Sequence, residues 1–297
     1  MSIVPPDPTE LTEPVWFEPL RSPTWLMPEP AVAPLHVRFV PGPVPGSLTG
    51  PDRQVRLGLP MALAEAVRFT TDVASVSALR PGPADLLATV IVDEPGEGRA
   101  VRVVMTRGDG AEAAVIARGS ERADEAGELF AALPGLVAGT LRDLGAKAQW
   151  STIYRAPAPV AAIGYARAHR VVGWLRDPAV HEVGEDPQEA GRIRATIKDA
   201  LAVLADTAGR AGSPFATLLF LAGLFATRDG GSGVHTEFRL AANAICVQAK
   251  DPHDPLYRVS VPVLAMIGEA RESERRRELV ARDADLEVRR WLLRTAL

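Results

Sequence analysis

Fourteen of the chain's 26 prolines lie within its first 60 residues. Proline fixes φ, lacks an N–H and clashes with a preceding helical turn, so "PGPVPG" at 41–46 argues against a helix or a central strand there. The same stretch carries Trp16, Phe17, Trp25, Leu26, Phe39 and Val40. Leaving that much apolar surface in water is costly. Together the two constraints predict a proline-rich extended arm over residues 1–59 that lays its aromatic side chains on the body of the protein. The rival reading makes Trp16, Trp25 and Phe39 anchors for a protein partner, because aromatic side chains dominate the energetics of interfaces.

Beyond the arm the pattern is that of an α+β fold, with antiparallel sheet segments and packed helices. Pro60 reads as the first residue of a helix, where its missing N–H costs little. Leu63, Ala66, Val67 and Thr70 form the apolar face of that helix, which ends before Pro81. Three strand-like runs follow, at 85–92, 99–107 and 111–118. They are joined by "DEPGEG" and "GDG", whose residues tolerate turn conformations, and so read as an antiparallel meander. A helix is predicted over about 121–145, because Leu129, Leu133, Leu136, Thr140, Leu141 and Leu144 recur at helical spacing. Pro134-Gly135 should kink or divide it. These elements make an N-terminal α+β half, residues 60–149.

A linker with Pro157 and Pro159 opens a helix-rich C-terminal half, residues 150–297. One helix is expected over about 160–176. The next has a clear start: Asp186 as N-cap, Pro187 as first residue and Glu189 as the acid of a capping box. It repeats apolar residues at Ile193, Ile197, Leu201 and Leu204 and stops at Gly209 and Gly212. Ser213-Pro214 begins the longest apolar run, 214–227, fourteen residues long. That is too short to cross roughly 30 Å of hydrocarbon as a helix, so a buried core helix is expected and no membrane span.

After "RDGGSG" (228–233), the runs 234–250 and 256–263 read as two strands joined by "DPHDP" at 251–255. A charged helix over about 264–297 follows, with acid–base pairs four apart: Glu272 with Arg276, Glu278 with Arg282, Asp285 with Arg289. Residues 99–145 and 234–297 then share the order strand, turn, strand, long helix. This raises the possibility of two degenerate ββα-containing halves.

The charge balance excludes some classes of function. Net charge is −4, and no Lys/Arg block stands without acids beside it, so nothing points to nucleic acid. Three Lys stand against thirty Arg, which with abundant Ala, Gly and Pro suggests a GC-rich bacterial genome. The single cysteine, Cys246, permits no internal disulfide or Cys-rich zinc site, and reads as a small buried thiol. The N-terminus has neither the basic nor the apolar region of a signal peptide, which predicts a cytoplasmic protein.

"DPHDP" holds three metal-ligand types, Asp251, His253 and Asp254. Neighbours in an extended loop point in different directions, whereas a metal needs three or four ligands on one point. His235 and Glu237 alternate on one strand face, but a straight strand would hold them roughly 40 Å from the loop at about 3.3 Å per residue. The turn reading is therefore favoured, since Asp bonds its own backbone and Pro presets φ.

"HEVGE" (181–185) lacks the second His of a zinc-protease helix and reads as a solvated acidic loop of Glu182, Glu185, Asp186 and Glu189. "RDGGSG" runs from helix into the next segment, the wrong order for a phosphate loop, and reads as a helix stop. His169 lies on or beside an apolar face and reads as a packed histidine. There is no GxSxG elbow. The resulting expectation is a binding or assembly protein, a scaffold or adaptor with no cofactor, acting on a protein partner or on itself. The alternative is a hydrolytic or metal-dependent enzyme built from the 228–237 and 251–255 loops.

Overall fold

The computed structural model describes residues 10–28, 35–44, 50–93, 99–120, 125–151, 153–182 and 186–295. Among them a six-stranded mixed sheet packs on a helical body, an α+β fold. The predicted meander is present as β4 (Leu86–Val92), β5 (Arg99–Arg107) and β6 (Glu112–Ser120), with antiparallel pairing throughout. Residues 94–98 of the first joint lie outside the described residues. The "GDG" joint closes as a tight turn, with the Gly110 N–H on the Arg107 carbonyl at 2.8 Å and Gly110 at φ 84.

Three strands are additional to the meander. β1 (Glu10–Leu11) pairs antiparallel with β3 (Ala74–Ala78), and β2 (His36–Pro41) lies parallel between β3 and β4. β2 lies just before "PGPVPG", and of that stretch only Pro41 joins it. Pro41 is the last residue of the strand; the Gly42 N–H goes to Val90 of β4, so the Pro41 nitrogen faces β3, whose pairing has already ended at Phe39, and its missing N–H breaks no ladder bond. Phe39 is fully buried in the middle of this strand, and so belongs to the core rather than to a partner surface.

β2 is connected to β3 by α1 (Gly50–Thr70). This helix begins ten residues before Pro60, which sits inside it and removes one bond from its ladder. The helix survives because both of its sides are buried. Leu59, Leu63 and Val67 pack under the sheet with α2 (Ala126–Asp143), while Met61, Ala62 and Phe69 face the helical body. α2 runs unbroken through Pro134, and residues 121–124 of its expected start lie outside the described residues.

Next come α3 (Pro159–Leu175), α4 (Pro187–Ala211) and α5 (Pro214–Asp229), each close to its predicted bounds. Asp186 accepts a hydrogen bond from the Gln188 N–H at 2.9 Å, and Gly212 ends α4 at φ 60. α5 is apolar all round and buried, and among the described residues no helix is long and apolar enough to cross a membrane.

The C-terminal region departs from expectation. Both predicted strands are helical: α6 (Arg239–Cys246) after a short 3-10 turn at 234–238, and α7 (Pro255–Met266). The repeated ββα pattern is therefore absent. The last charged stretch is two helices, α8 (Ala270–Asp283) and α9 (Leu286–Arg294). Gly268, at φ 88, separates α7 from α8; α8 ends at Ala284, and the Asp285 carboxylate starts α9 by accepting from the Val288 N–H at 2.9 Å. Asp285 thus caps α9, and the Arg289 Nε–H goes instead to the Ala284 carbonyl.

A buried cation fixes α6, α7 and α8. The Arg276 side chain of α8 bonds the Cys246 carbonyl at 3.0 Å, Ser260 Oγ at 2.8 Å and Glu272 at 2.8 Å, and stacks 4.3 Å from the Tyr257 ring centroid. Burial pushes the adjacent Cys246 thiol up to about 12, which leaves it an inert core residue. The hydrogen bond from Arg275, joined by that from Arg276, holds the Glu272 carboxyl at about 2, below the usual 4.5.

The native state therefore favours charged Glu272 more than the unfolded chain does. This stabilisation is complete above pH about 4.5 and fades as pH falls towards about 2. In thermal unfolding, the gap between the wild-type protein and Glu272→Gln should be widest near neutral pH and close by pH about 2.

α3 lies at the centre of the body, against α1, α2, α4 and α5. Gly58 makes the α1 crossing possible, since a Cβ there would meet the Ala166 carbonyl oxygen at 1.9 Å. Backbone stands on both sides of that contact, so neither can give way cheaply. Gly58→Ala should cost about 2–3 kcal/mol in a denaturant titration. Gly209→Ala, in open space on α4, should instead stabilise by up to about 1 kcal/mol.

Candidate binding site

"DPHDP" forms the start of α7. The Asp251 carboxylate accepts from the His253 N–H at 2.9 Å, and Asp254 accepts from the Leu256 N–H at 2.8 Å with Pro255 as the first helical residue. Both acids thus serve as turn and cap, and His253 is exposed. His235 and Glu237 lie in the 3-10 turn and not on a strand face. Glu237 pairs with Lys198 of α4, while burial first and Arg228 second push the His235 imidazole pKa down. Among the described residues no three His, Cys, Asp or Glu side chains converge as a metal ion requires.

His181 hydrogen-bonds the Leu175 carbonyl through Nε2 at 2.8 Å, and its ring packs on Gly230. Residues 183–185 of "HEVGE", Glu185 included, lie outside the described residues. "RDGGSG" ends α5, with Gly231 and Gly233 both at φ 71.

The strongest polar cluster is one that sequence reasoning did not assemble. Glu65 of α1 is sealed in the core, 2% exposed. Its carboxylate accepts from Trp16 Nε1 at 2.5 Å, from the Tyr165 hydroxyl, and contacts His169 Nε2 at 3.1 Å. His169 Nδ1 faces the Tyr165 carbonyl at 2.9 Å, so Nδ1 carries a proton. Burial first, and the nearby Glu65 charge second, push both the Tyr154 and Tyr165 hydroxyls up.

Trp16 and Tyr165 donate to the buried carboxylate and the His169 ring lies against it, so groups from two segments partner a charge held out of water. A void of about 10 Å³, room for one water at most, reaches Glu65. Glu65, Tyr165 and His169 are all buried, and the cluster joins α1, α3 and the N-terminal segment as a clamp. Trp16 is consumed by it and is fully buried, so it offers no surface to a partner.

Glu65→Gln keeps the shape but turns an amide N–H₂ against existing donors. It should cost about 3–5 kcal/mol in a denaturant titration. Trp16→Phe removes one hydrogen bond only and should cost about 1–2 kcal/mol. The reverse order would show that the carboxylate is not the centre of the cluster.

The segment held by Trp16 forms the wall of an open cleft of about 700 Å³. Phe17, Trp25 and Met27 line it on one side; the end of α1, the start of β3, Gln149 and the start of α9 line the other. Trp25 is held by Trp291, edge to face at 5.4 Å, and by Arg258, 5.5 Å from its ring centroid. Asp72 is fixed by accepting from the Lys147 N–H at 2.7 Å. Glu13, Asp72, Asp285 and Glu287 set four carboxylates around the cleft against one guanidinium, Arg68.

Trp150 follows Gln149 of the cleft wall directly, and its side chain is 90% exposed. Sequence reasoning passed over it, and its one signal was a tryptophan placed in a polar linker. A second cleft, about 500 Å³, is spanned by the ion pairs Arg21–Asp229 and Arg176–Glu18, which tether the N-terminal segment to the helices. Comparison with protein-family models, curated proteins and solved structures finds no match.

Proposed function

We propose that this chain is a non-catalytic binding protein, an adaptor that takes an extended segment of a protein partner into the cleft beside Trp150. One observation carries the reading: an indole 90% exposed, one residue along the chain from Gln149 in the wall of a cleft that half-buried aromatic side chains also line. Aromatic side chains bury large areas at interfaces, and tryptophan is enriched among the residues that dominate binding. The cleft volume of about 700 Å³ suits a few side chains of a bound segment. Four carboxylates against one guanidinium favour a segment with Lys or Arg beside its apolar anchor.

The test selects peptides from a random-sequence display library on the immobilised full chain, then measures each by fluorescence anisotropy. Enriched peptides should pair an apolar residue with Lys or Arg. Trp150→Ala should weaken them about tenfold or more with no change in the unfolding midpoint. Glu13→Gln with Glu287→Gln should weaken them several-fold at low salt and less at high salt. The reading fails if Trp150→Ala leaves the affinity of every enriched peptide unchanged.

A further inference from the structure

The sheet has two very different edges. Its strand order is β1-β3-β2-β4-β5-β6. β1 closes one edge with only two residues, whereas β6 leaves nine at the other. No strand pairs with the outer side of β6 among the described residues.

Hydrogen-bond direction along this edge follows from the register. The Asp93 N–H meets the Ala100 carbonyl at 2.9 Å, so Ala100 directs its backbone groups towards β4. Direction alternates along a strand, so Val101, Val103 and Met105 direct theirs towards β6, where they pair with Arg118, Ile116 and Ala114. Val115, Ala117 and Gly119 therefore point their N–H and C=O groups out of the sheet.

Natural proteins blunt such an edge with charge, proline or a bulge. Here a bulge and Glu112 lie at one end and Arg118 near the other. The run between them, "AAVIA" at 113–117, has no charge and no proline, and Val115 is 48% exposed. The two end charges are opposite. Antiparallel pairing of two copies brings each Glu112 end to the Arg118 end of its partner, whereas parallel pairing would set like charges together.

We propose that the chain self-associates through β6, two copies pairing antiparallel about a two-fold axis to make one continuous sheet. This surface is separate from the cleft and does not rest on it. An isologous contact of this kind closes on itself and stops at a dimer. It satisfies the outward backbone groups of both copies and covers Val115.

Light-scattering mass across a concentration series up to high micromolar tests this. The wild-type protein should rise from 31.7 kDa to twice that mass. Ala117→Pro deletes an outward N–H and leaves the bonds of β6 to β5 in place, so it should weaken association about tenfold or more. Val115→Lys sets a charge at the centre of the edge and should act likewise, and it decides the matter should the proline variant unfold. Amides of Val115 and Ala117 should exchange more slowly in the dimer than in the Val115→Lys protein. A wild-type chain that stays at 31.7 kDa throughout, or a dimer that a folded Val115→Lys protein keeps, overturns the proposal.

Discussion

A single buried carboxylate orders the meeting of three parts of this chain. Glu65 sits on α1, Tyr165 and His169 on α3, and Trp16 on the segment that crosses them. Taking the carboxylate out of water costs several kcal/mol, and only the convergence of its partners offsets that. The partners are specific in direction as well as number. His169 spends its other ring nitrogen on the Tyr165 carbonyl, which fixes the ring, and Trp16 has a single N–H to give. The cluster thus sets the crossing of α1 on α3 and locks the N-terminal segment to both.

The candidate site depends on that clamp. Phe17 and Trp25, the aromatic wall of the cleft, flank the segment that Trp16 anchors. The exposed ion pairs along the same segment are weak, as surface pairs are. Buried contacts hold it instead: Trp16 on Glu65 at 2.5 Å, and Trp291 Nε1 on the Leu20 carbonyl at 2.8 Å. Arg276 does for α6, α7 and α8 what Glu65 does for α1 and α3. In each case one buried charge is satisfied by groups from separate elements, so that the elements fit together in only one way.

Much of the fold was legible wherever a local signal was strong. The β4–β6 meander follows from alternation and the "GDG" turn, and α4 from Asp186-Pro187 at one end and Gly212 at the other. β2 was hidden by its flanking prolines, and β3, "ASVSA", is short and paired only to distant residues. α7 was misread because "LYRVSVPV" alternates like a strand. Yet Asp254-Pro255 is the same start signal as Asp186-Pro187, and it is the cap that decides the local structure. Of the candidate residues, Trp16 and Phe39 went to the core, while Trp25 lines a cleft with Trp150 beside it.

The sequence by itself determined what depends on neighbours within a turn or two: helix caps, tight turns, the apolar stripes of α2 to α5, and the inertness expected of a lone buried cysteine. Only the tertiary structure decided that a proline-bounded segment becomes a central parallel strand, that Glu65 is sealed among Trp16, Tyr165 and His169, and that four distant segments line one cleft. These outcomes rest on contacts between residues 49 to 104 positions apart in the case of Glu65. Such contacts form only when the whole core closes, because no local periodicity or cap encodes which distant partner will satisfy a buried group.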